Sequence, residues 1–400
     1  MGFAPKIVQT SVAIIAAAVI GSPPSLALPQ VSTAADERGA LIATAFQIAS
    51  RIPANPHARD RAKMQELVAQ TCIDLSLLDE AATYAKQIQD WRRGEALALI
   101  GQQWAKKGDA VRALEFAEAA KLVAAGEQDW KRERVSLEVS RIYVRLGKDS
   151  QAYTLMTSGS PAALGALEVA RTESMPTAQL DATADLFDKA IATRNFDLAR
   201  GAVDGYIVWL GRVVDDEPRR TRALAALNSG IPGLPFDLQV TSTLDVAKTL
   251  YARGQLDLAT TQFKRAQECF SQATFLPEDA APLGVVVART RFAMGDREVA
   301  ASDLQRLFAD FESHQNQIVD MRQARSLRSL AEAFAEFGMT AEASDCYTKA
   351  LEAGLGNPNS RPRAEDLCAT CLSMARASFQ PSATLLARIE SIKAGLSDPW

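Results

Sequence analysis

One stretch of the chain is written twice. Gln89-Asp90-Trp91-Arg92-Arg93 returns as Gln128-Asp129-Trp130-Lys131-Arg132, Gly108 returns as Gly147, and Ala113 returns as Ala152, each 39 residues later. A fixed period of this size marks a helical repeat array. Within one copy, apolar or small residues fall at Leu97, Ile100, Gly101 and Trp104, then at Ala110, Ala113, Leu114, Ala117 and Ala120. That is three/four spacing on either side of Lys107-Gly108-Asp109, so the unit reads as a helical hairpin. Gly108 supplies the left-handed residue that ends the first helix, and Asp109 can cap the second. Neither helix hides its apolar stripe alone; each needs its partner and the next hairpin. Small side chains at Ala113, Ala117 and Ala120 let the axes approach closely.

The same punctuation recurs downstream. Arg253-Gly254-Gln255, Met294-Gly295-Asp296 and Phe337-Gly338-Met339 stand between helical patterns, and an Ala follows each Gly by five residues, at Ala259, Ala300 and Ala343. These residues resemble the tetratricopeptide repeat, W-x2-L-G-x2-Y…A-x3-F…P. The match runs through Leu327, Leu330, Ala331, Phe334, Ala343, Tyr347 and Ala350. It runs again through Leu97, Ile100, Gly101, Trp104, Ala113, Ala117 and Ala120, and through Thr243, Val246, Ala247, Leu250, Ala259, Phe263 and Ala266. The units here are longer than that family's, and the closing Pro is mostly missing. The resemblance implies an all-α fold, a right-handed αα-solenoid of hairpins. Gly108, Gly147, Gly254, Gly295 and Gly338 are its structural turns.

The amino end reads as a secretory signal over residues 1–27. Lys6 precedes the apolar run from Val12 to Ile20, Gly21 and Pro23-Pro24 break it, and small residues flank a cut after Ala27. The run is short for a membrane span. The expected location is therefore periplasmic or extracellular, the alternative being an anchor left uncleaved. Residues 28–35 read as a disordered lead-in, and residues 40–50 as an opening helix that caps one end of the array. Hairpins follow at 59–88 and through the duplicated stretch. Residues 162–171 read as a lone helix, and residues 177–209 as a hairpin turning at Arg194-Asn195. Between residues 211 and 237 the rhythm fails. Asp215-Asp216-Glu217-Pro218 starts a short helix, and Asn228-Ser229-Gly230-Ile231-Pro232-Gly233-Leu234-Pro235 reads as a loop, because two Gly and two Pro oppose a helix. This loop divides a helical half at 36–228 from another at 238–396, whose last pair caps the far end before a tail at 397–400.

Few residues offer chemistry. No GxSxG, P-loop, HExxH or helix-opening GxGxxG is present. His57 and His314 are too separated to form a metal cluster. Cys368-Ala369-Thr370-Cys371 spells CxxC, but inside a helical pattern and without a second pair. With Cys72, Cys269 and Cys346 these thiols read first as buried packing residues, with a disulfide from Cys346 to Cys368 or Cys371 left open. The 44 basic and 48 acidic side chains are well mixed, net −4, which argues against a nucleic-acid partner.

The functional lead lies in the cations of the first helices, which line the concave face of such arrays. Arg141, Arg145, Lys248, Arg289, Arg325 and Arg328 suit a groove for a carboxylate or an acidic peptide. Against that, Glu138 can pair with Arg134 and Arg141, and Glu332 with Arg328, at helical spacings. Trp91 and Trp130 read as packing between repeats or as an aromatic anchor for a partner. The reading is an exported, non-catalytic scaffold that binds a protein or peptide and needs no cofactor, metal, nucleic acid or membrane span. The alternative is a cell-envelope enzyme component or the superhelical accessory part of a cell-wall lytic system.

Overall fold

The computed structural model describes residues 34–400, which form one compact unit. The stretch read as a secretory signal, residues 1–27, and most of the stretch read as a lead-in fall outside the described residues. Nineteen α-helices and no strand are found among those described. After α1 (Ala34–Arg51) the helices pair as α2 (Ala54–Asp74) with α3 (Leu78–Ala85), α4 (Arg92–Lys106) with α5 (Ala110–Ala125), and α6 (Asp129–Arg145) with α7 (Asp149–Leu155). Next comes α8 (Pro161–Ser174), and then α10 (Phe196–Val213), which packs on α8, on α9 (Leu180–Ala192) and on α11 (Glu217–Gly230). The C-terminal pairs are α12 (Phe236–Ala252) with α13 (Leu256–Gln272), α14 (Pro277–Ala293) with α15 (Arg297–Ser313), α16 (Asp320–Glu336) with α17 (Thr340–Leu355), and α18 (Ser360–Arg376) with α19 (Ala383–Ala394). The chain is an all-α helical repeat array.

The turns follow local chemistry. Gly108, Gly147, Gly254, Gly295 and Gly338 all have φ between 70° and 93°, a region closed to most side chains. The Asp109 carboxylate accepts the backbone N–H of Arg112 at 3.0 Å and caps α5. Asp216 does the same for Arg219 at 3.1 Å, so the acidic run before Pro218 is a helix start. Ala113, Ala117 and Ala120 are fully buried where α4 and α5 meet.

Three features depart from the sequence reading. First, the helix at 162–171 is not alone. It is α8, which packs on α6 and α10 as the first helices do, while α10 packs on α9, as the sequence reading has it, and also on α11. The Arg212 guanidinium near the end of α10 donates to the carbonyls of Thr172 at 2.7 Å and Met175 at 2.9 Å, which ties α10 to α8 as parallel neighbours. Second, the Gly/Pro stretch is largely helical. Gly230 ends α11, and Ile231–Gly233 make a 3-10 turn in which Pro232 sits where no N–H is needed. Ile231 and Leu234 are buried, so this junction is packed.

The third difference is the largest. Each first helix packs on the next, from α2 through α4, α6 and so on to α18, and α18 then packs on α1 and α2. The series closes on itself. The two ends cap each other, so neither needs a polar outer face. Leu41, Ile42 and Ile48 on α1, and Ile52 just past it, are buried at 3% exposure or less; each such side chain contributes about 1.5–3 kcal/mol. Arg51 donates to the Lys393 and Leu396 carbonyls at 2.6 and 3.0 Å, and Arg376 donates to the Thr71 hydroxyl at 3.1 Å. α1 also starts at Ala34, inside the stretch read as lead-in.

Candidate binding surface

The first helices run parallel, and their side chains interlock from one repeat to the next. Glu95 on α4 holds Arg134 on α6 at 2.7 Å, and Glu66 on α2 holds Arg92 on α4 at 3.1 Å. The Gln102 amide donates to the carboxylate and the backbone carbonyl of Glu138 at 2.6 and 3.0 Å. The position at which a carboxylate-binding repeat would use Asn is thereby occupied in stitching α4 to α6.

Most of the six cations singled out in the sequence have carboxylate partners. Arg141 pairs with Glu138 at 2.7 Å, Arg145 with Glu173 on α8, and Lys248 with Asp245 at 2.6 Å. Arg289 reaches Glu336 at 2.6 Å, and Arg328 reaches Asp366 on α18 at 2.9 Å. Glu332 serves Arg289 and Arg376 and not Arg328, while Glu138 leaves Arg134 to Glu95. Burial lowers the pKa of Arg145, but Glu173 supports its charge. Of the six, Arg325 alone borders the groove described next.

Arg325 is the exception. It is exposed and has no carboxylate within 4 Å among the described residues. It lies on the wall of a groove of about 560 Å³ at the amino-terminal ends of α12, α14 and α16, with Phe236, Leu238, Phe275, Leu283 and Val286 supplying apolar surface. A volume of this size suits a few side chains of a peptide or a small ligand. Asp237 and Asp279 stand at its mouth.

Along this edge an apolar side chain is left open at the start of successive first helices. Phe196, Phe236, Leu276 and Val319 are 45%, 53%, 59% and 60% exposed. Trp130 opens α6 on the same edge at 58%, and its ring meets the buried Trp91 edge-on at 5.1 Å. Trp91 is therefore packing between repeats, and Trp130 is half packing and half surface. The sequence reading missed the other members of this row. The signal was there: Phe196, Phe236 and Leu276 stand 40 residues apart, each ahead of a helix start.

One further cluster is electrically unusual. Burial, and then the nearby Glu95 carboxylate, push the Glu66 carboxyl up to about 7, against the pull of Arg92 and Arg134. Both guanidiniums lie over the Trp91 ring, 4.9 and 5.5 Å from its centre. The five cysteines are free thiols, and Cys368 and Cys371 are fully buried on α18. No group of three or more His, Cys, Asp or Glu is arranged to hold a metal among the described residues, and no described helix is long and apolar enough to cross a membrane. His57 sits in the kinked start of α2 and His314 just past α15, far apart in the fold's order. No protein-family model matches the chain, and no curated protein matches it.

Proposed function

We propose that this protein is an exported, non-catalytic scaffold that binds a partner protein or peptide. One observation carries the binding role: the apolar groove beside Arg325, which continues into a row of half-exposed apolar side chains at one edge of the array. Isolated exposed apolar residues are ordinary, but a contiguous row with a cleft marks an interaction surface. Five of the six first-helix cations are held by carboxylates, which supports the edge that opens on the groove as the binding surface. Export rests on the composition of residues 1–27.

The test has two parts. N-terminal sequencing of protein recovered from a cell-envelope or medium fraction should begin at Leu28. Affinity capture from the same fraction should return a partner with the native chain and lose it with Phe236→Asp. Retention in the cytoplasm with Met1 intact would remove the export reading; equal capture by both chains would remove the groove from the binding role.

A further inference from the structure

A second pocket, of about 370 Å³, lies between the first turns of α6 and the link from Met156 to Ser160 that joins α7 to α8. It shares no lining residue with the groove beside Arg325. Three of its side chains give it a chemistry. Ser136 lines it at 7% exposure, and its hydroxyl has no hydrogen-bond partner among the described residues. Buried hydroxyls are nearly always partnered, so one left open toward a cavity points to a ligand. Glu133 is fixed from behind, where its carboxylate accepts the backbone N–H and the hydroxyl of Ser160 at 2.8 and 2.7 Å. Each carboxylate oxygen keeps a lone pair for a further donor. Trp130 supplies an aromatic wall that is more than half exposed, and its edge-on contact with Trp91 at 5.1 Å sets the plane of the ring.

We propose that this pocket binds a neutral saccharide of one or two rings, stacked on Trp130 and hydrogen-bonded to Ser136 and Glu133. A pyranose with equatorial hydroxyls has a flat face of C–H bonds, polarised positive, which matches the negative face of an indole. Its rim hydroxyls donate and accept, as Glu133, an acceptor only, and Ser136, which does both, require. No side chain caps the start of α6, which leaves first-turn N–H groups as further donors. The lining carries both signs, Asp129 and Glu133 with Arg132, so a simple anion or cation meets a like charge. A wholly apolar ligand would leave Ser136 and Glu133 without partners. The volume falls in the range of ordinary small-ligand sites.

Isothermal titration of the full chain with four probes tests this: cellobiose, N,N′-diacetylchitobiose, choline chloride and sodium sulfate. At least one of the two sugars should bind, and choline and sulfate should not. Trp130→Ala should weaken the sugar at least tenfold, whereas Trp130→Phe, which keeps a flat ring, should retain most of the affinity. Ser136→Ala removes one hydroxyl and should weaken binding about three- to tenfold, the worth of one hydrogen bond. A circular dichroism spectrum and melting point matching the native chain are the folding control for the Phe and Ser136 variants. Phe236→Asp, in the other groove, should leave the sugar affinity unchanged. The proposal is overturned if neither sugar binds, or if sugar binding survives both Trp130→Ala and Ser136→Ala unchanged. It is also overturned if choline or sulfate binds in place of the sugars and is lost with Trp130→Ala, which would make the ligand an ion.

Discussion

Two glycines four residues apart on α10 should respond to alanine with opposite signs. Gly201 has nothing within 4 Å of where a β-carbon would stand, so Gly201→Ala adds no collision. It gains the helix preference of Ala over Gly, about 0.5–1 kcal/mol. At Gly205 the added carbon would lie 2.6 and 2.7 Å from two ring carbons of Phe187, and closer still to Cζ. Phe187 is 4% exposed, and its ring meets Tyr206 edge-on at 5.6 Å. Tyr206 is itself fixed by a hydrogen bond from its hydroxyl to the Ala184 carbonyl at 3.1 Å. The ring has no free direction, so α9 and α10 must part. Overpacking of this kind costs about 1–3 kcal/mol. Less the same helix gain, Gly205→Ala is destabilised by up to about 2.5 kcal/mol. Urea unfolding followed by tryptophan fluorescence reads the effect, because Trp209 is fully buried one turn beyond Gly205. The midpoint should rise for Gly201→Ala and fall for Gly205→Ala. A shift of both in one direction, or no loss at Gly205, would refute the claim that a tight ring contact places α9 on α10.

Three further outcomes follow from other parts of the fold. The raised Glu66 carboxyl binds its proton more tightly folded than unfolded, so its contribution to stability is full below the ordinary glutamate range and is lost as pH rises through about 7. Glu66→Gln should flatten that part of the stability profile between pH 5 and 8, by at most about 2 kcal/mol after discounting for solvent; an unchanged pH profile contradicts it. Burial pushes the Cys72, Cys346 and Cys371 thiols up to about 12 and raises Cys368 as well, whereas Cys269 is only half-buried. A thiol reagent at pH 8 should therefore label Cys269 at most in the folded chain and all five cysteines in urea. Ile48→Asp places an unpaired charge in the seam between the chain ends. Hydrogen exchange should quicken in α1, α18 and α2 together and leave α10 unchanged; loss confined to α1 would mean that closure does not couple the two ends.

The hairpins were legible because their signals are local. Gly108 and its counterparts mark turns, Asp109 and Asp216 mark caps, and small residues such as Ala113 sit at the expected offset. Pairing across the array was harder to read. The segment 177–193 could lean on the helix before it or the one after. It packs on the one after, where Tyr206 and Trp209 of α10 donate to the Ala184 and Leu180 carbonyls of α9, while Arg212 reaches back to Thr172 on α8. The Gly/Pro stretch misled for a physical reason. Glycine and proline oppose a helix in its interior, but Gly230 is at an end and Pro232 is in a first turn. End-to-end closure left no local mark, since its bonds join residues as far apart as Arg51 and Lys393.

The cations of the first helices show what helical spacing leaves out. Helical spacing was searched for their partners, at three and four residues. Arg141 and Lys248 do find their partners three residues away, but other pairs span about a repeat: Arg134 and Glu95 are 39 residues apart, Arg328 and Asp366 are 38, and Gln102 and Glu138 are 36. The second helices repeat the device, with Arg219 and Asp181 38 apart and Arg388 and Glu352 36 apart. In an array whose neighbours are parallel, a residue and its counterpart one period on lie at the same height on adjacent helices. A charge and its complement at that offset must therefore meet. The repeat period that identifies the fold also identifies these pairs, and it separates charges that join repeats from charges left over for a partner. Among the charges left over by that criterion are Arg325, Asp237 and Asp279, which line one apolar groove.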